Sequence, residues 1–188
     1  MQATDYSLAQ YVSDIRAIAN AEQDGSKIAE QIRPLARKLA TTEELRNPRY
    51  RVCDEKQGFG VHLLHEEDNH ELGVFVLSWL PNRGTLPHNH LTWAVVAVME
   101  GEEYEVQYKR LDDGSKPGYA RLEENGADIM RVGDVSVCKP DDIHSVWNKG
   151  ADISISLHTY GKHINHTGRS QFDLQTDAEI PYTVTVED

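Results

Sequence analysis

His88 and His90 stand two residues apart at the head of an apolar, β-branched run, Leu91-Thr92-Trp93-Ala94-Val95-Val96-Ala97-Val98-Met99. In an extended chain the side chains at i and i+2 point to the same face, so the pair aims two imidazoles at one point. About fifty residues downstream, Pro140-Asp141-Asp142-Ile143-His144 supplies a third histidine just after a turn, at the start of another apolar strand. Three neutral nitrogen donors can hold a divalent metal and leave coordination positions free. With zinc such a set makes a hydrolytic site. With iron(II) it suits a substrate that brings its own anionic ligand, with room for dioxygen beside it. The histidine count does not choose between them. A third stretch, Ser154-Ile155-Ser156-Leu157-His158-Thr159-Tyr160-Gly161, alternates strictly, so Ser156, His158 and Tyr160 share a face. An alternating polar face most often looks at solvent. Turned into a barrel interior, this one lines up a hydroxyl, an imidazole and a phenol, a chain able to orient the Tyr160 hydroxyl and move a proton.

The elements that must position these groups change character along the chain. Ser7 with Gln10 three residues later makes a capping-box start, and Leu8, Tyr11, Val12, Ile15 and Ile18 fall on one helical face. After the break at Asp24-Gly25-Ser26 a second helix carries Ile28, Ile32, Leu35 and Leu39 on its stripe, with a kink or split expected at Pro34. Thr42, Glu44 and Leu45 suit a short third turn, and Asn47-Pro48 is expected to end the helical part. From Tyr50 on, alternation predicts strands at 60–65, 72–79, 92–99, 103–110, 120–123, 135–139, 145–148 and 153–160. Asp112-Asp113-Gly114 and Asn125-Gly126 read as hairpin turns. Many short strands with such turns indicate a sandwich or closed barrel. The expected organisation is one mainly β domain over 1–188, with a helical cap over about 1–48 and a barrel over about 50–188.

The bulk properties narrow the partners. The 188 residues are 39% hydrophobic and 27% charged, which fits an ordinary soluble domain with a full core. A net charge of -12, with scattered Lys and Arg, argues against nucleic-acid binding. No apolar run approaches a membrane span, and the N-terminus lacks the apolar stretch of a signal peptide. Cys53 and Cys138 make no disulfide framework, so cytoplasmic residence is the expectation. Because the overall field is acidic, an anionic substrate must be held by local cations. Monomer and homo-oligomer both remain open.

The His-x-His stretch, followed by Gly133, Pro140, Asp142, His144 and Asn148, resembles the two-part signature of the cupin barrels. With Ser156-x-His158-x-Tyr160 in this order and spacing, and Trp79 nine residues before His88, the chain from about 60 to 170 resembles the thiol dioxygenase family. That family includes cysteine dioxygenase and 3-mercaptopropionate dioxygenase. The resemblance implies a cupin jelly-roll β-barrel with N-terminal α-helices. It further implies Fe(2+) held by His88, His90 and His144, an outer triad of Ser156, His158 and Tyr160, and addition of both atoms of O2 to a thiol sulfur to give a sulfinate. The acidic residue that many cupins place after His-x-His is missing from Leu91-Thr92-Trp93-Ala94-Val95.

Two positions bear on the subfamily. Animal-type cysteine dioxygenases carry a cysteine five residues after the second histidine, cross-linked to the tyrosine; here that residue is Val95, so no thioether is expected. They hold the substrate carboxylate with an arginine upstream of the tryptophan, where this chain reads Val61-His62-Leu63. The mercaptopropionate-type enzymes use an arginine nine residues after the tyrosine, which is Arg169, followed by Ser170. The resemblance therefore implies Arg169 as the carboxylate clamp, a task its planar fork suits. His62, where the relatives tend to have glutamine, would contact a second polar group if it faced the pocket. His65, His70, His163 and His166 are assigned to the surface or to loops. The implied substrate is a small thiol carboxylate: 3-mercaptopropionate first, with mercaptosuccinate or cysteine beside it. Two other readings stay open: a metallocupin of another reaction class (hydrolase or isomerase), and a non-catalytic ligand-binding cupin.

Overall fold

The computed structural model describes residues 6–187. Helix α1 (Leu8–Ala21) starts at Ser7, whose hydroxyl accepts from the Gln10 amide at 3.1 Å. Helix α2 (Gly25–Ala40) starts at Asp24, whose carboxylate accepts from the amides of Ser26 and Lys27. The predicted stripes turn inward: Tyr11, Val12 and Ile15 on α1, and Ile28, Ile32 and Leu39 on α2 are buried. Pro34 does not split α2, which runs through it. Burial of Ala29, Ile32, Ala36 and Leu39 on both sides of the proline outweighs a lost backbone bond that costs about 3 kcal/mol. Nor does Asn47-Pro48 end the helical part. Pro48–Arg51 forms a 3-10 turn with Pro48 at its first position, where a missing N–H costs nothing.

Eleven strands follow: β1 (Phe59–His65), β2 (Glu71–Trp79), β3 (Arg83–Gly84), β4 (Ala94–Glu100), β5 (Glu102–Arg110), β6 (Leu122–Arg131), β7 (Val135–Cys138), β8 (Ile143–Asn148), β9 (Ser154–Lys162), β10 (Ser170–Asp173) and β11 (Ala178–Pro181). They form a five-stranded sheet in the order β1-β2-β9-β4-β7, a four-stranded sheet in the order β3-β8-β5-β6, and the β10-β11 pair. Every strand pairing within these sheets is antiparallel. Asn125-Gly126 is not a hairpin turn. It lies inside the ten-residue β6, where the register against β5 slips between Val106 and Tyr108. Gly126, at φ 131, supplies the backbone freedom for the irregularity, so a turn dipeptide serves here as a bulge.

The five-stranded sheet is buried on both faces. Val74, Val76, Val95, Ala97 and Leu157 pack with Ile15, Ile28, Ile32 and Leu39 of the helices. Phe75, Leu77, Trp79, Ala94 and Tyr160 look the other way, into the barrel. This explains why β2 and β4 read as nearly continuous apolar runs rather than alternating ones. The exposed edge at β7 is covered by Arg33 of α2, whose guanidinium donates to the Val135 carbonyl at 3.0 and 3.3 Å. No helix among the described residues is long and apolar enough to cross a membrane.

Candidate metal centre

His88 and His144 face each other across a two-residue antiparallel bridge. The His88 amide donates to the His144 carbonyl at 2.8 Å and the His144 amide returns the bond at 3.0 Å. His88 lies outside the regular strands, since β4 begins only at Ala94. The loop before β4 is instead pinned from two sides. Thr85 exchanges bonds with Val146 of β8, while the Phe172 amide donates to Pro87 O and the Ser170 amide to the Asn89 side chain. Just past His90, Leu91 takes the left-handed conformation at φ 53, a strained turn for a branched residue that its amide bond to Pro140 O holds in place.

The three side chains His88, His90 and His144 are all buried, and their nitrogen donors lie within 4.8 Å of one another. Hydrogen bonds fix two tautomers. His88 Nδ1 donates to Leu86 O at 3.0 Å and His144 Nδ1 donates to the Glu105 carboxylate at 2.6 Å, so both Nε2 lone pairs point to the centre. His144 Nε2 and His90 Nε2 are 3.3 Å apart. That separation suits the edge of a coordination polyhedron with metal–nitrogen bonds of about 2.0–2.1 Å. Burial, then the neighbouring imidazole of His144, holds His88 and His90 well below the usual histidine range, which keeps both as neutral donors. Burial raises the Glu105 carboxyl, but its hydrogen bond to His144 overrides this and leaves it lowered and ionised. A carboxylate behind a histidine is the partner that orients a metal ligand and raises its basicity. The donor set fits a divalent ion.

His158 and Tyr160 line the same cavity, and Ser156 lies behind them on the same face of β9. Ser156 Oγ lies 2.8 Å from His158 Nε2, and His158 Nδ1 lies 2.8 Å from the Tyr160 hydroxyl. Trp79 Nε1 donates to Ser156 Oγ at 3.3 Å. Asn148, the last residue of the second cupin stretch, donates to the carbonyls of Trp79 and Asp152, so it anchors the tryptophan. Burial pushes the Tyr160 phenol up and the His158 imidazole down to about 3, so both are neutral near pH 7. Arg169 is only 4% exposed, and its Nε and Nη2 have no hydrogen-bond partner among the described residues. Its guanidinium stacks 4.2 Å over the Tyr182 ring. The bonds from β10 to the His88 loop place it on the cavity wall beside His88, His90 and Tyr160.

His62 is not brought to this site. Along β1, Phe59 and Val61 face the cavity, so His62 lies on the opposite face, where its Nε2 meets Val52 O at 3.0 Å. Because both faces of β1 are largely buried, the alternation alone did not say which one points inward. Val95 likewise packs in the helix-facing cluster, away from Tyr160. Of the remaining histidines, His163 is buried against Phe75, while His70 and His166 stack on each other at 3.5 Å. Glu105 and Tyr182 carried no motif. Each reaches the site through tertiary pairing, Glu105 by the β5–β8 register and Tyr182 by its amide bond to Arg169 O. A larger groove of about 570 Å³ lies between α1 and the β1–β2 turn, but no cluster of metal-ligating side chains opens into it among the described residues.

No protein-family model matches the chain. Among solved structures, an uncharacterized conserved protein with a double-stranded β-helix domain from Klebsiella pneumoniae aligns over 69% of this chain and 91% of its own, at 16% identity and a TM-score of 0.50. An oxalate oxidase in complex with glycolate aligns over 56% of this chain and 52% of its own, at 19% identity and a TM-score of 0.44. The cupin domain of Schizosaccharomyces pombe Cnp3 aligns over 56% and 62%, at 10% identity and a TM-score of 0.45. The chain thus spans about half the length of the oxalate oxidase it matches. At such identities the likeness is one of fold. The chain has the mainly β cupin, or double-stranded β-helix, fold with two N-terminal helices, and inside it a three-histidine cluster able to hold a metal ion.

Proposed function

We propose that this protein is an iron(II)-dependent thiol dioxygenase that oxidises a small thiol carboxylate with O2 to the sulfinate, 3-mercaptopropionate being the favoured substrate and mercaptosuccinate and cysteine the next. The observation that carries this reading is the buried, unpaired guanidinium of Arg169 in one cavity with the three histidines and the Ser156–His158–Tyr160 chain. Burial holds His88, His90 and His158 neutral, and among the described residues Arg169 is the one arginine or lysine lining that cavity. An unpaired buried cation costs several kcal/mol, a cost that an anionic ligand relieves.

An iron(II) ion held by His88, His90 and His144 would supply dioxygen activation and a Lewis-acid seat for a thiolate. Arg169 Nε and Nη2 lie on the same edge of the guanidinium, the pair of donors that grips a carboxylate side-on. A carboxylate fixed there holds the sulfur end of a short substrate towards the histidines. Tyr160, oriented by His158 and Ser156, presents its hydroxyl to that end and exchanges a proton with it. The apolar wall of Val61, Leu77 and Val146 excludes water around these groups and strengthens each charge interaction.

The test is oxygen uptake by anaerobically iron(II)-loaded protein with 3-mercaptopropionate, mercaptosuccinate, cysteine and cysteamine side by side. Uptake matched one-to-one by sulfinate, with a carboxylate-bearing thiol ahead of cysteamine, is the expected result. Full iron loading with no uptake for any thiol would move the assignment to a metallocupin of another reaction class.

A further inference from the structure

Glu103 is a carboxylate inside the barrel with no metal beside it in the reading above. It is 2% exposed, and its Oε1 has no hydrogen-bond partner among the described residues. The side chains that bear on the carboxyl are Ser156 on β9 and Trp79 on β2, themselves joined by a hydrogen bond at 3.3 Å. Its cross-strand partner on β6 is Met130, and the charged group that bears on it is Glu105, two residues along β5. Among the described residues no basic side chain offsets it.

We propose that Glu103 is the far end of a four-residue proton chain, Glu103–Ser156–His158–Tyr160, and that its protonation state sets whether the Tyr160 hydroxyl accepts from or donates to the ligand. The two settings follow from the donors available. With Glu103 ionised, Ser156 donates to it, His158 Nε2–H donates to Ser156, and the Tyr160 hydroxyl donates to His158 Nδ1. The phenol oxygen then offers a lone pair to the cavity. With Glu103 neutral, every bond reverses: Glu103 donates to Ser156, Ser156 to His158 Nε2, His158 Nδ1–H to Tyr160, and the Tyr160 O–H points at the ligand.

Passage from the first setting to the second moves one proton. The ligand S–H gives its proton to the Tyr160 oxygen, each member passes one on, and Glu103 becomes the carboxylic acid. The substrate is left as a thiolate facing a hydrogen-bond donor, with neither oxidant nor reductant involved. Burial first, then the neighbouring Glu105 charge, lifts the carboxyl to about 7, against the opposing influence of Ser156 and Trp79, so both settings are accessible near neutral pH.

This inference rests on the thiol reading for its ligand but not for the chain itself, so two measurements separate them. The first is infrared titration of the metal-free full-length protein. A protonated carboxyl band that disappears as pH rises through about 7, is absent from Glu103→Gln, and shifts in Ser156→Ala and His158→Gln is expected. A band insensitive to Ser156 and His158 would remove Glu103 from the chain. The second counts protons released, with an indicator dye, when 3-mercaptopropionate binds the anaerobic iron-loaded protein. The wild type should release one proton per thiol well below about pH 7 and approach none well above it, whereas Glu103→Gln should release one throughout. Identical release from both proteins would overturn the proposal. Failure of any thiol to bind would count against the thiol reading, and the infrared titration would still decide on the chain.

Discussion

Strand β9 has two faces that are equally buried and differ in everything else. Ile155 and Leu157 look towards the helices and pack with Val74, Val76, Val95, Ile15 and Ile32. That face carries one polar link, between the Tyr11 and Thr159 hydroxyls at 2.6 Å. Ser156, His158 and Tyr160 face the barrel side at 0%, 3% and 3% exposure, as dry as the apolar side. Yet the buried polar side-chain atoms without partners among the described residues, on His90, Glu103, Ser154 and Arg169, belong to the barrel side. Each such atom costs about 1–3 kcal/mol, whereas a fully buried aliphatic side chain stabilises by about 1.5–3 kcal/mol. One face of the sheet therefore holds the fold together, and the other carries the unsatisfied polar groups.

Changes on the cavity face should accordingly act on binding and turnover. The largest effect is expected from His144→Ala, which removes a donor and strands the ionised Glu105 behind it. Metal content should fall to background and turnover with it; a variant retaining both would refute the ligand assignment. Arg169→Ala should lower kcat/KM for 3-mercaptopropionate by about 10- to 150-fold, the equivalent of about 1.5–3 kcal/mol for a charged hydrogen-bonded pair. For cysteamine the loss should be several-fold at most, and equal losses would take Arg169 out of the clamp role. Arg169→Met should at the same time raise the thermal midpoint of the ligand-free protein, because it removes an unpaired buried cation.

Changes on the helix face should do the reverse. Leu157→Ala deletes a fully buried side chain between β2, β4 and the helices and should cost about 2–5 kcal/mol in denaturant unfolding. KM for the thiol should stay within about twofold of wild type. A large KM change with unaltered stability would mean that the two faces are not separable.

Much of this contrast was legible in the sequence, and what was missed has a common physical cause. His-x-His and Ser-x-His-x-Tyr are patterns within single extended segments, where a period of two fixes the shared face. The helical stripes were visible because Ile28, Ile32 and Leu39 repeat at helical spacing. His62 was misplaced because β1 is largely buried on both faces, so alternation names a face without saying which way it points. Glu103, Glu105 and Tyr182 carry no local pattern at all. Glu105 meets His144 across a pairing between residues 39 apart in sequence, a register that composition does not contain. Asn125-Gly126 has the residues of a tight turn, and only the continuation of β5–β6 pairing past it shows that the chain bulges there.

Glu103 makes the barrel side measurable as a pH effect on stability. Its folded-state value of about 7 lies above the ordinary 4.5, so between these values the native state binds more protons than the unfolded chain. Stability must then fall as pH rises through that window, by about 3 kcal/mol over the full shift. Glu103→Gln keeps the shape and removes the titration. The variant should therefore gain on wild type from about pH 4.5 to 7 and hold that gain at pH 8. Parallel stability curves for the two proteins would show that Glu103 ionises as readily in the barrel as in water.

The finest comparison deletes one hydroxyl from each side of β9. Tyr11→Phe removes the partner of Thr159 and leaves that hydroxyl buried, so about 1–2 kcal/mol of stability should be lost with kcat unchanged. Tyr160→Phe removes a hydroxyl whose partner in the protein, His158 Nδ1, stays inside a chain already bonded to Ser156. The buried Nδ1 left behind should cost about 1–2 kcal/mol here too, while kcat should fall by about tenfold or more, the contribution of one positioned proton donor. Two phenols, one bonded to each face of β9, would then be separated by turnover. If both variants lost stability alike and neither lost turnover, Tyr160 would be a second Tyr11, a core residue with a satisfied hydroxyl, and the cavity face would have no claim to chemistry.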